Sequence, residues 1–179
     1  MAYFEFVDKY KDAGLDLPTR KTGKSAGYDL VAAADCVIPS IWNQMKEANS
    51  VFTINEDEYI TTTEMMDFTK ATGIKPTLVT TGVKCMMSDD EFLQLSVRSS
   101  TPLKTWLMLA NGVGIIDADY YGNPSNDGEI FLQMYNLSPF NIMIHKGEAI
   151  GQAIILPYHK VENDSSCGER VGGFGSTNG

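Results

Sequence analysis

Short runs of apolar residues recur along most of the chain, and most of them are bounded by Gly, Pro, Asn or Asp. These runs are rich in Val, Ile, Leu and aromatic residues and too short for ordinary helices, which is typical of β-strands. The pattern predicts strands at 3–7, 30–38, 77–84, 92–97, 107–109, 113–116, 130–135, 142–144 and 149–156. Because helices do not alternate with them, we expect an all-β fold, either a sandwich, a jelly roll or a barrel.

One segment departs from this pattern. Residues 41–48 and 61–71 fit helices better, and the second opens at Thr61 on Thr-Thr-Thr-Glu, a typical N-cap region with an acidic first turn. Gly73 is placed to end that helix. We therefore predict a helical insertion at about 41–75. Three apolar side chains of its second helix are expected to face a core, namely Met65, Met66 and Phe68.

Bulk composition indicates a globular protein. The chain has 179 residues, of which 43% are hydrophobic and 21% charged, the size and balance of one ordinary domain. No apolar run is long enough to span a bilayer, and the first residues lack the order of a signal peptide. We expect a cytoplasmic protein without a membrane partner. The cysteines are few and far apart, which favours reduced thiols over a zinc site or a disulfide framework: Cys36, Cys85 and Cys167.

The net charge of −9 argues against a nucleic-acid partner, because such proteins usually carry a basic stripe. An acidic protein can still bind a polyphosphate when a divalent cation and a few well-placed cationic side chains assist. Arginine is rare here, so bidentate anion contacts are confined to three positions: Arg20, Arg98 and Arg170.

The end of the chain, residues 165–179, is rich in glycine. A floppy terminus is the common explanation of such a tail. The alternative is a mobile arm that closes over a nucleoside polyphosphate. Glycines expose backbone N–H groups to anions, an aromatic can stack on a base, and hydroxyls and a guanidinium bind phosphate. The tail carries these groups at Arg170, Phe174, Ser176 and Thr177.

Two further segments carry candidate chemistry. Asn111-Gly112 favours a tight hairpin turn, and Asp117 follows it. The turn can be purely structural and the acid solvated; alternatively, the hairpin forms a pocket whose polar groups select the edge of a pyrimidine. Arg98-Ser99-Ser100 ends a strand, and on that tripeptide alone a plain surface loop is the simpler explanation.

Five ordered segments, taken together, resemble the motifs of the trimeric dUTPases. They are SAGYDL at 25–30, RSS at 98–100, NGVGIIDADY at 111–120, GEAIGQ at 147–152 and GGFGST at 172–177. The resemblance implies a distorted jelly-roll or β-barrel body over residues 1–164, with residues 165–179 as an arm over the active site. It also implies a homotrimer that uses Mg²⁺ to hydrolyse dUTP to dUMP and pyrophosphate. That reaction limits uracil incorporation into DNA and supplies dUMP for dTMP synthesis.

The same resemblance implies roles at the base and sugar. Asp117 corresponds to the catalytic aspartate that activates the attacking water. Asn111, with Gly112 and Ile116, corresponds to the uracil-reading hairpin. Tyr120 corresponds to the tyrosine beneath the deoxyribose, whose ring leaves no room for a 2′-hydroxyl.

Phosphate and metal roles follow in the same way. Arg98, Ser99 and Ser100 correspond to phosphate contacts, as does Gln152. Asp29 corresponds to the acid near the metal-bound waters. On the arm, the implied uracil-stacking residue is Phe174, and the implied phosphate contacts are Arg170, Gly175, Ser176 and Thr177.

The chain departs from the family pattern at several places. Ala149 stands where the fourth motif usually has Arg, which leaves the phosphate grip short of one charge, and Gly151 stands where Ala is usual. Arg170 lies one position nearer the stacking aromatic than in many members. The loop at 122–128 exceeds the shortest family form, and Trp106 replaces a common glycine.

Two alternatives to this function stay open. A dCTP deaminase shares the fold by family knowledge, but it would lack the glycine-rich lid and carry a glutamate where this chain has Asp117. A regulatory dUTPase-like protein would use the acidic, helical insertion at 41–75 to hold a protein partner.

Overall fold

The computed structural model describes residues 1–48, 59–168, 170 and 172–173. Within these residues the β-strands are β1 (Tyr3–Phe6), β2 (Tyr28–Val31), β3 (Cys36–Ile38), β4 (Thr77–Thr80), β5 (Val83–Met86), β6 (Glu91–Ser96), β7 (Leu107–Leu109), β8 (Gly114–Asp117), β9 (Phe131–Asn136), β10 (Ile142–Ile144) and β11 (Ala149–Pro157). The α-helices are α1 (Ile41–Ala48), α2 (Thr62–Thr72) and α3 (Ser100–Thr105), and short 3-10 turns lie at Asp8–Tyr10 and Ala118–Tyr120.

The strands form antiparallel sheets. The largest has the order β2-β11-β6-β8, and a second has the order β4-β9-β7. Strands β1 and β5 form one further pair, and β3 and β10 another. This architecture confirms the all-β prediction, and the helices lie outside the sheets' hydrogen-bonded ladders.

The strands of both larger sheets contribute to one apolar core. Along β6 and β9 every second side chain is buried, as the two-residue period of a strand requires. Leu93 of β6, Leu132 of β9 and Leu30 of β2 are all inaccessible to solvent and belong to the same cluster. The sheets are therefore held together by the apolar faces that the sequence pattern marks.

Two strands predicted as continuous are each broken in the structure. The segment 30–38 divides into β2, which pairs with β11, and β3, which pairs with β10. The segment 77–84 divides into β4 and β5 at Gly82, whose φ is +68°. A Cβ on Gly82 would lie 2.9 Å from the Cβ of Ala33 and 3.0 Å from the ring of Tyr10. A left-handed bend at this close contact transfers the chain between sheets, which an apolar run alone does not reveal.

Both helices predicted at 41–75 are present as α1 and α2. Thr61 caps α2: its hydroxyl accepts a bond from the N–H of Glu64 at 3.2 Å, and the Glu64 carboxylate accepts the Thr61 N–H at 2.7 Å. Gly73 ends the helix with a φ of +73°. The side chains of Met65 and Met66 were expected to face a core, but they are 45% and 59% exposed. That expectation is wrong for both methionines, whereas Phe68 is half-buried; no residue of α2 is fully buried.

Helix α1 is fixed to the body by polar contacts. The indole N–H of Trp42 donates to the carbonyl of Leu137 at 2.9 Å, and the buried hydroxyl of Ser40 donates to the carbonyl of Ser138 at 2.6 Å.

In the described ranges, we find no helix with the length and apolarity needed to cross a membrane.

Candidate active site

A pocket of about 250 Å³ opens beside the end of β8. Asp117, the last residue of β8, lines it with a carboxylate that is 56% exposed. The Ala118–Tyr120 turn then brings the ring of Tyr120 into the same wall, where it is only 6% exposed. Asn111 and Ile116 line the pocket too. The structure thus gathers a half-exposed acid, a buried aromatic ring and an amide around one cavity.

The turn that carries Asn111 differs from the predicted hairpin. Gly112 has a φ of +68°, and its N–H donates to the carbonyl of Leu109 at 3.1 Å, so the chain does turn tightly there. The flanking strands do not form a hairpin ladder, however, because β7 pairs with β9 whereas β8 pairs with β6. The turn therefore joins two sheets, and the pocket lies between them.

Arg170 closes one side of the pocket. Its Nη2 contacts the carboxylate of Asp117, and its Nε lies 2.6 Å from Oδ1 of Asp119. Burial by itself lowers the pKa of Arg170, but the bonds to Asp119 and Asp117 outweigh it and raise that pKa above its ordinary value. The guanidinium also lies over the ring of Tyr120, 5.8 Å from its centroid. Arg170 is therefore held as a cation against the acid at the pocket mouth.

Gly173 touches the same wall. A Cβ at this position would lie 2.8 Å from Cε2 of Tyr120, so glycine permits the backbone to approach the ring. The remaining predicted arm residues lie outside the described residues: Phe174, Gly175, Ser176 and Thr177.

Several side chains of the pocket were not predicted from the sequence, among them three from the segment 129–133. Glu129, Phe131 and Gln133 line it. Phe131 and Gln133 alternate along β9 with the buried Leu132, so the period of two could have placed them on the opposite face. Their proximity to Asn111 follows only from the pairing of β9 with β7, which brings the carbonyl of Gln133 to the N–H of Ala110 at 2.7 Å.

A second group of predicted residues lies on β2, β11 and the end of β6. Asp29 is opposite Gln152, and Gln152 is opposite Ser96. The Nε of Arg98 is 3.3 Å from Oδ1 of Asp29. The other carboxylate oxygen of Asp29 is buried without a hydrogen bond, and the Nζ of Lys21 lies 3.8 Å from it. Lys21 was missed because nothing in the sequence marks it among the lysines of its loop.

The chain continues from Arg98 into α3. Ser99 is exposed and αR in conformation, and Ser100 begins the helix. Gly27 lies against this group, since a Cβ there would meet Oε1 of Gln152 at 2.6 Å. The segments at 25–30, 98–100 and 147–152 therefore meet in space.

One departure from the family pattern has a structural reason, at Gly151, whereas nothing in the structure explains the tryptophan at position 106. A Cβ on Gly151 would lie 2.6 Å from Cδ1 of Leu132 and 3.0 Å from the carbonyl oxygen of Ser96, so the core has no room for alanine as it stands. Trp106 ends α3 in the left-handed region, with a φ of +56°, the conformation that glycine prefers. Its indole is 58% exposed.

The two groups of residues occupy opposite ends of β6. Asp117 is opposite Phe92, whereas Gln152 is opposite Ser96, four residues further along the strand. At roughly 3.3 Å per residue this offset is about 13 Å. Among the described residues that line the pocket beside Asp117, none belongs to the Asp29 group. One chain thus carries two separate groups of predicted site residues, here called half-sites.

The chain was also compared with known proteins. No family model matches it. The deoxyuridine 5′-triphosphate nucleotidohydrolase of Lactococcus lactis subsp. lactis is 38% identical over 176 residues, which cover 97% of this chain and 95% of that protein. The chain belongs to the dUTPase family.

Solved structures of the family agree with this assignment. The crystal structure of the Streptococcus mutans dUTPase superposes with a TM-score of 0.67 and 34% identity, covering 89% of this chain and 98% of that one. A mutant dUTPase of phage phi11 of S. aureus has a TM-score of 0.59 at 15% identity, covering 93% and 96%. At this identity the similarity shows only a shared fold. The phage phi11 dUTPase coordinates a structural Mg(II) ion.

Proposed function

We propose that the chain hydrolyses dUTP to dUMP and pyrophosphate, by attack of water on the α-phosphorus. The observation that carries this proposal is the pocket beside β8, where Asp117 stands half exposed at the mouth and Asn111 and Tyr120 form walls. Membership of the dUTPase family supports the same substrate. The product supplies dTMP synthesis, and removal of dUTP limits uracil in DNA.

Base and sugar are selected inside the pocket. Asn111 offers amide and backbone groups to the uracil edge at the Gly112 turn, and Ile116 gives an apolar wall. A base without matching donors and acceptors leaves these groups unpaired, which disfavours its binding. The buried ring of Tyr120 lies under the sugar and excludes a 2′-hydroxyl by lack of space.

Asp117 is the general base. A general base must lie within about 3 Å of the water whose proton it takes. The exposure of the Asp117 carboxylate allows a water to reach it, and its place at the pocket mouth directs that water to the α-phosphate of a bound nucleotide. Pyrophosphate leaves with the electron pair of the broken P–O bond. Positioning of the reactants and electrostatic stabilisation supply most of the catalysis in such phosphoryl transfers.

The phosphates are gripped by the Asp29 group and the arm. Arg98 donates from its guanidinium, Ser99 and Ser100 offer hydroxyls, and Gln152 offers its amide. Arg170 exchanges its contact with Asp117 for the β and γ phosphates. The remaining proposed arm contacts, which include stacking of the aromatic ring on uracil, come from Phe174, Gly175, Ser176 and Thr177.

The donor set suits Mg²⁺ held mainly by phosphate and water. In the part of the chain that the structure describes, no three acidic, histidine or cysteine side chains cluster as metal ligands. Asp29, however, keeps one buried oxygen without a hydrogen bond, which can accept from metal-bound water. Mg²⁺ prefers oxygen ligands and retains waters, and when bound it neutralises charge on the triphosphate.

We infer that the active unit is a homotrimer. The two half-sites lie at opposite ends of β6, and in a trimer a neighbouring copy can bring its Asp29 group to the Asp117 pocket of the first. Exposed apolar side chains around these half-sites give the apolar surface that such an interface needs: Leu103, Trp106, Val113 and Ile115.

The decisive assay measures pyrophosphate release from dUTP, dCTP, dTTP and UTP, each with and without Mg²⁺. We expect efficient turnover of dUTP alone, dependent on Mg²⁺. Turnover of dUTP no faster than that of UTP or dTTP would contradict the proposal. Release of ammonia from dCTP would instead favour a dCTP deaminase.

A second candidate function is regulatory binding of a protein partner by the insertion at 41–75. The exposure of Met65 and Met66 on α2 supports it, since apolar side chains left in solvent favour burial against another surface. Deleting the insertion separates the two roles. Unchanged turnover with lost partner capture supports the added role, whereas loss of the trimer makes the segment structural.

A further inference from the structure

The loop at 122–128, which follows the Tyr120 turn, is folded tightly on itself. The N–H of Asn123 donates to the carbonyl of Tyr120 at 3.1 Å, and the N–H of Asp127 donates to the carbonyl of Asn123 at 2.7 Å. Gly128 returns the chain with a φ of +75°; a Cβ there would lie 2.6 Å from the carbonyl oxygen of Tyr120. The extra length of this loop is therefore packed against the backbone of the pocket tyrosine.

The side chain of Asn126 links this loop to the pocket. Its Oδ1 accepts the N–H of Gly128 at 3.1 Å, which fixes the orientation of the amide. Its Nδ2 then donates to the hydroxyl of Tyr120 at 2.6 Å. Asn126 thus holds the far end of the ring that forms the pocket wall.

The Tyr120 hydroxyl is held from a second side as well, because it donates to the carbonyl oxygen of Glu129 at 3.2 Å. A phenol hydroxyl has one proton to donate, so it needs a donor such as Asn126 for its accepting position. With both contacts made, the nearly buried ring is fixed in depth and tilt.

We propose that Asn126 is a positioning residue for sugar selection, acting through the hydroxyl of Tyr120. This inference rests on the proposed function, in which the Tyr120 ring excludes a 2′-hydroxyl. A hydroxyl group needs little extra space, so selection against it depends on a ring that cannot retreat. When the Asn126 contact is lost, Tyr120 keeps its bond to Glu129 but gains freedom to tilt away from the sugar.

The test is a double-mutant cycle read as the ratio of kcat/KM for dUTP to kcat/KM for UTP. The variants are Asn126→Ala, Tyr120→Phe and the pair together, with Ser125→Ala as the matched control. Ser125 lies in the same loop, and its hydroxyl donates to Asn123 at 2.6 Å rather than to the tyrosine. Coupling within such a cycle is the measure of an effect transmitted from one residue to the other.

We expect Asn126→Ala to lower the ratio by about tenfold, since small displacements in a site cost rate steeply. In the Tyr120→Phe background the same change should have no further effect, because the contact it removes is already gone. Ser125→Ala should keep the wild-type ratio.

A wild-type ratio in Asn126→Ala would overturn the inference, and so would an equal effect of that change in both backgrounds. If Asn126→Ala does not fold, Tyr120→Phe is tested alone, because that variant keeps the contact between Asn126 and Gly128. An unchanged ratio of kcat/KM for dUTP to kcat/KM for UTP in Tyr120→Phe would also overturn the inference. If the wild-type protein itself fails to prefer dUTP, the proposed function fails, which is a different result.

Discussion

The guanidinium of Arg170 forms an ion pair with the carboxylate of Asp117, within one chain. Its Nε also binds Asp119 at 2.6 Å. In the proposed reaction Asp117 holds the water and Arg170 reaches the phosphates, so the two cannot stay paired when substrate is bound. We therefore propose that the triphosphate replaces the two carboxylates as the partner of Arg170, which would free the base when substrate arrives.

Asp117→Asn should lose turnover by about 100- to 10,000-fold while dUTP binding is retained, because the amide keeps the shape but cannot accept a proton. Pyrophosphate release and calorimetric titration with a non-hydrolysable dUTP analogue measure the two effects. Asp119→Asn is the matched control: it also touches Arg170 but does not line the pocket, so we expect a much smaller loss. Equal losses in both variants would contradict the assignment of the base.

Truncation after Gly168 should lower kcat/KM for dUTP by about 100-fold or more, because in the proposed mechanism the arm excludes water and supplies Arg170. Stability should change little, since the partners of Arg170 are more than half exposed and exposed ion pairs contribute little. Steady-state kinetics and thermal unfolding, measured on the same samples, separate these effects. A large fall in Tm with proportionate loss of activity would instead make the arm structural.

Lys21→Ala should raise the KM for dUTP about threefold to tenfold, with a smaller effect on kcat. Its Nζ lies 3.8 Å from the carboxylate of Asp29, which also pairs with Arg98. Because Ala149 adds no positive charge for binding the phosphates, we expect Lys21 to contribute to that binding. The side chain is 68% exposed, so the effect should fade as salt screens the charge. Lys24→Ala, in the same loop and also exposed, is the control and should keep the wild-type KM.

Lys84→Ala should lower the free energy of unfolding by about 1–2 kcal/mol, because the nearly buried ammonium pairs with Asp127 at 2.7 Å and Glu5 at 3.2 Å. Chemical denaturation measures this loss. Lys70→Ala, which removes only an exposed pair with Asp67, should leave stability unchanged.

The advantage of the wild type over Lys84→Ala should depend on pH. The bond to Lys84 lowers the pKa of Asp127 below 3.8, and a bond from Tyr121, helped by Lys84, lowers that of Glu5 below 4.5. Groups with lowered pKa values stabilise the fold above their ordinary values and lose this contribution as pH falls through the lowered ones. The difference in the free energy of unfolding between the wild type and Lys84→Ala should therefore be complete at pH 7 and become smaller below about pH 4.

Much of the architecture could be predicted because local signals agree with the tertiary fold. The second helix of the insertion was predicted from the capping residues at Thr61 and Gly73, which act through their own backbone neighbours. The breaks near Ala33 and at Gly82 were not predicted, since an apolar run looks the same whether it stays in one sheet or crosses to the next. The exposure of Met66 was missed because periodicity gives a face but not the surface that covers it.

The sequence by itself determined the strand-rich fold, the capped helices and the list of chemically able residues, because these depend on side-chain type and short-range spacing. Only the tertiary structure decided which of those residues meet. Strand register put Asp29 beside Gln152 and kept both away from Asp117. Folding of the loop at 122–128 brought Asn126 to Tyr120, and the path of the last residues brought Arg170 to Asp117. Such contacts depend on where distant segments are packed, and no local pattern records that.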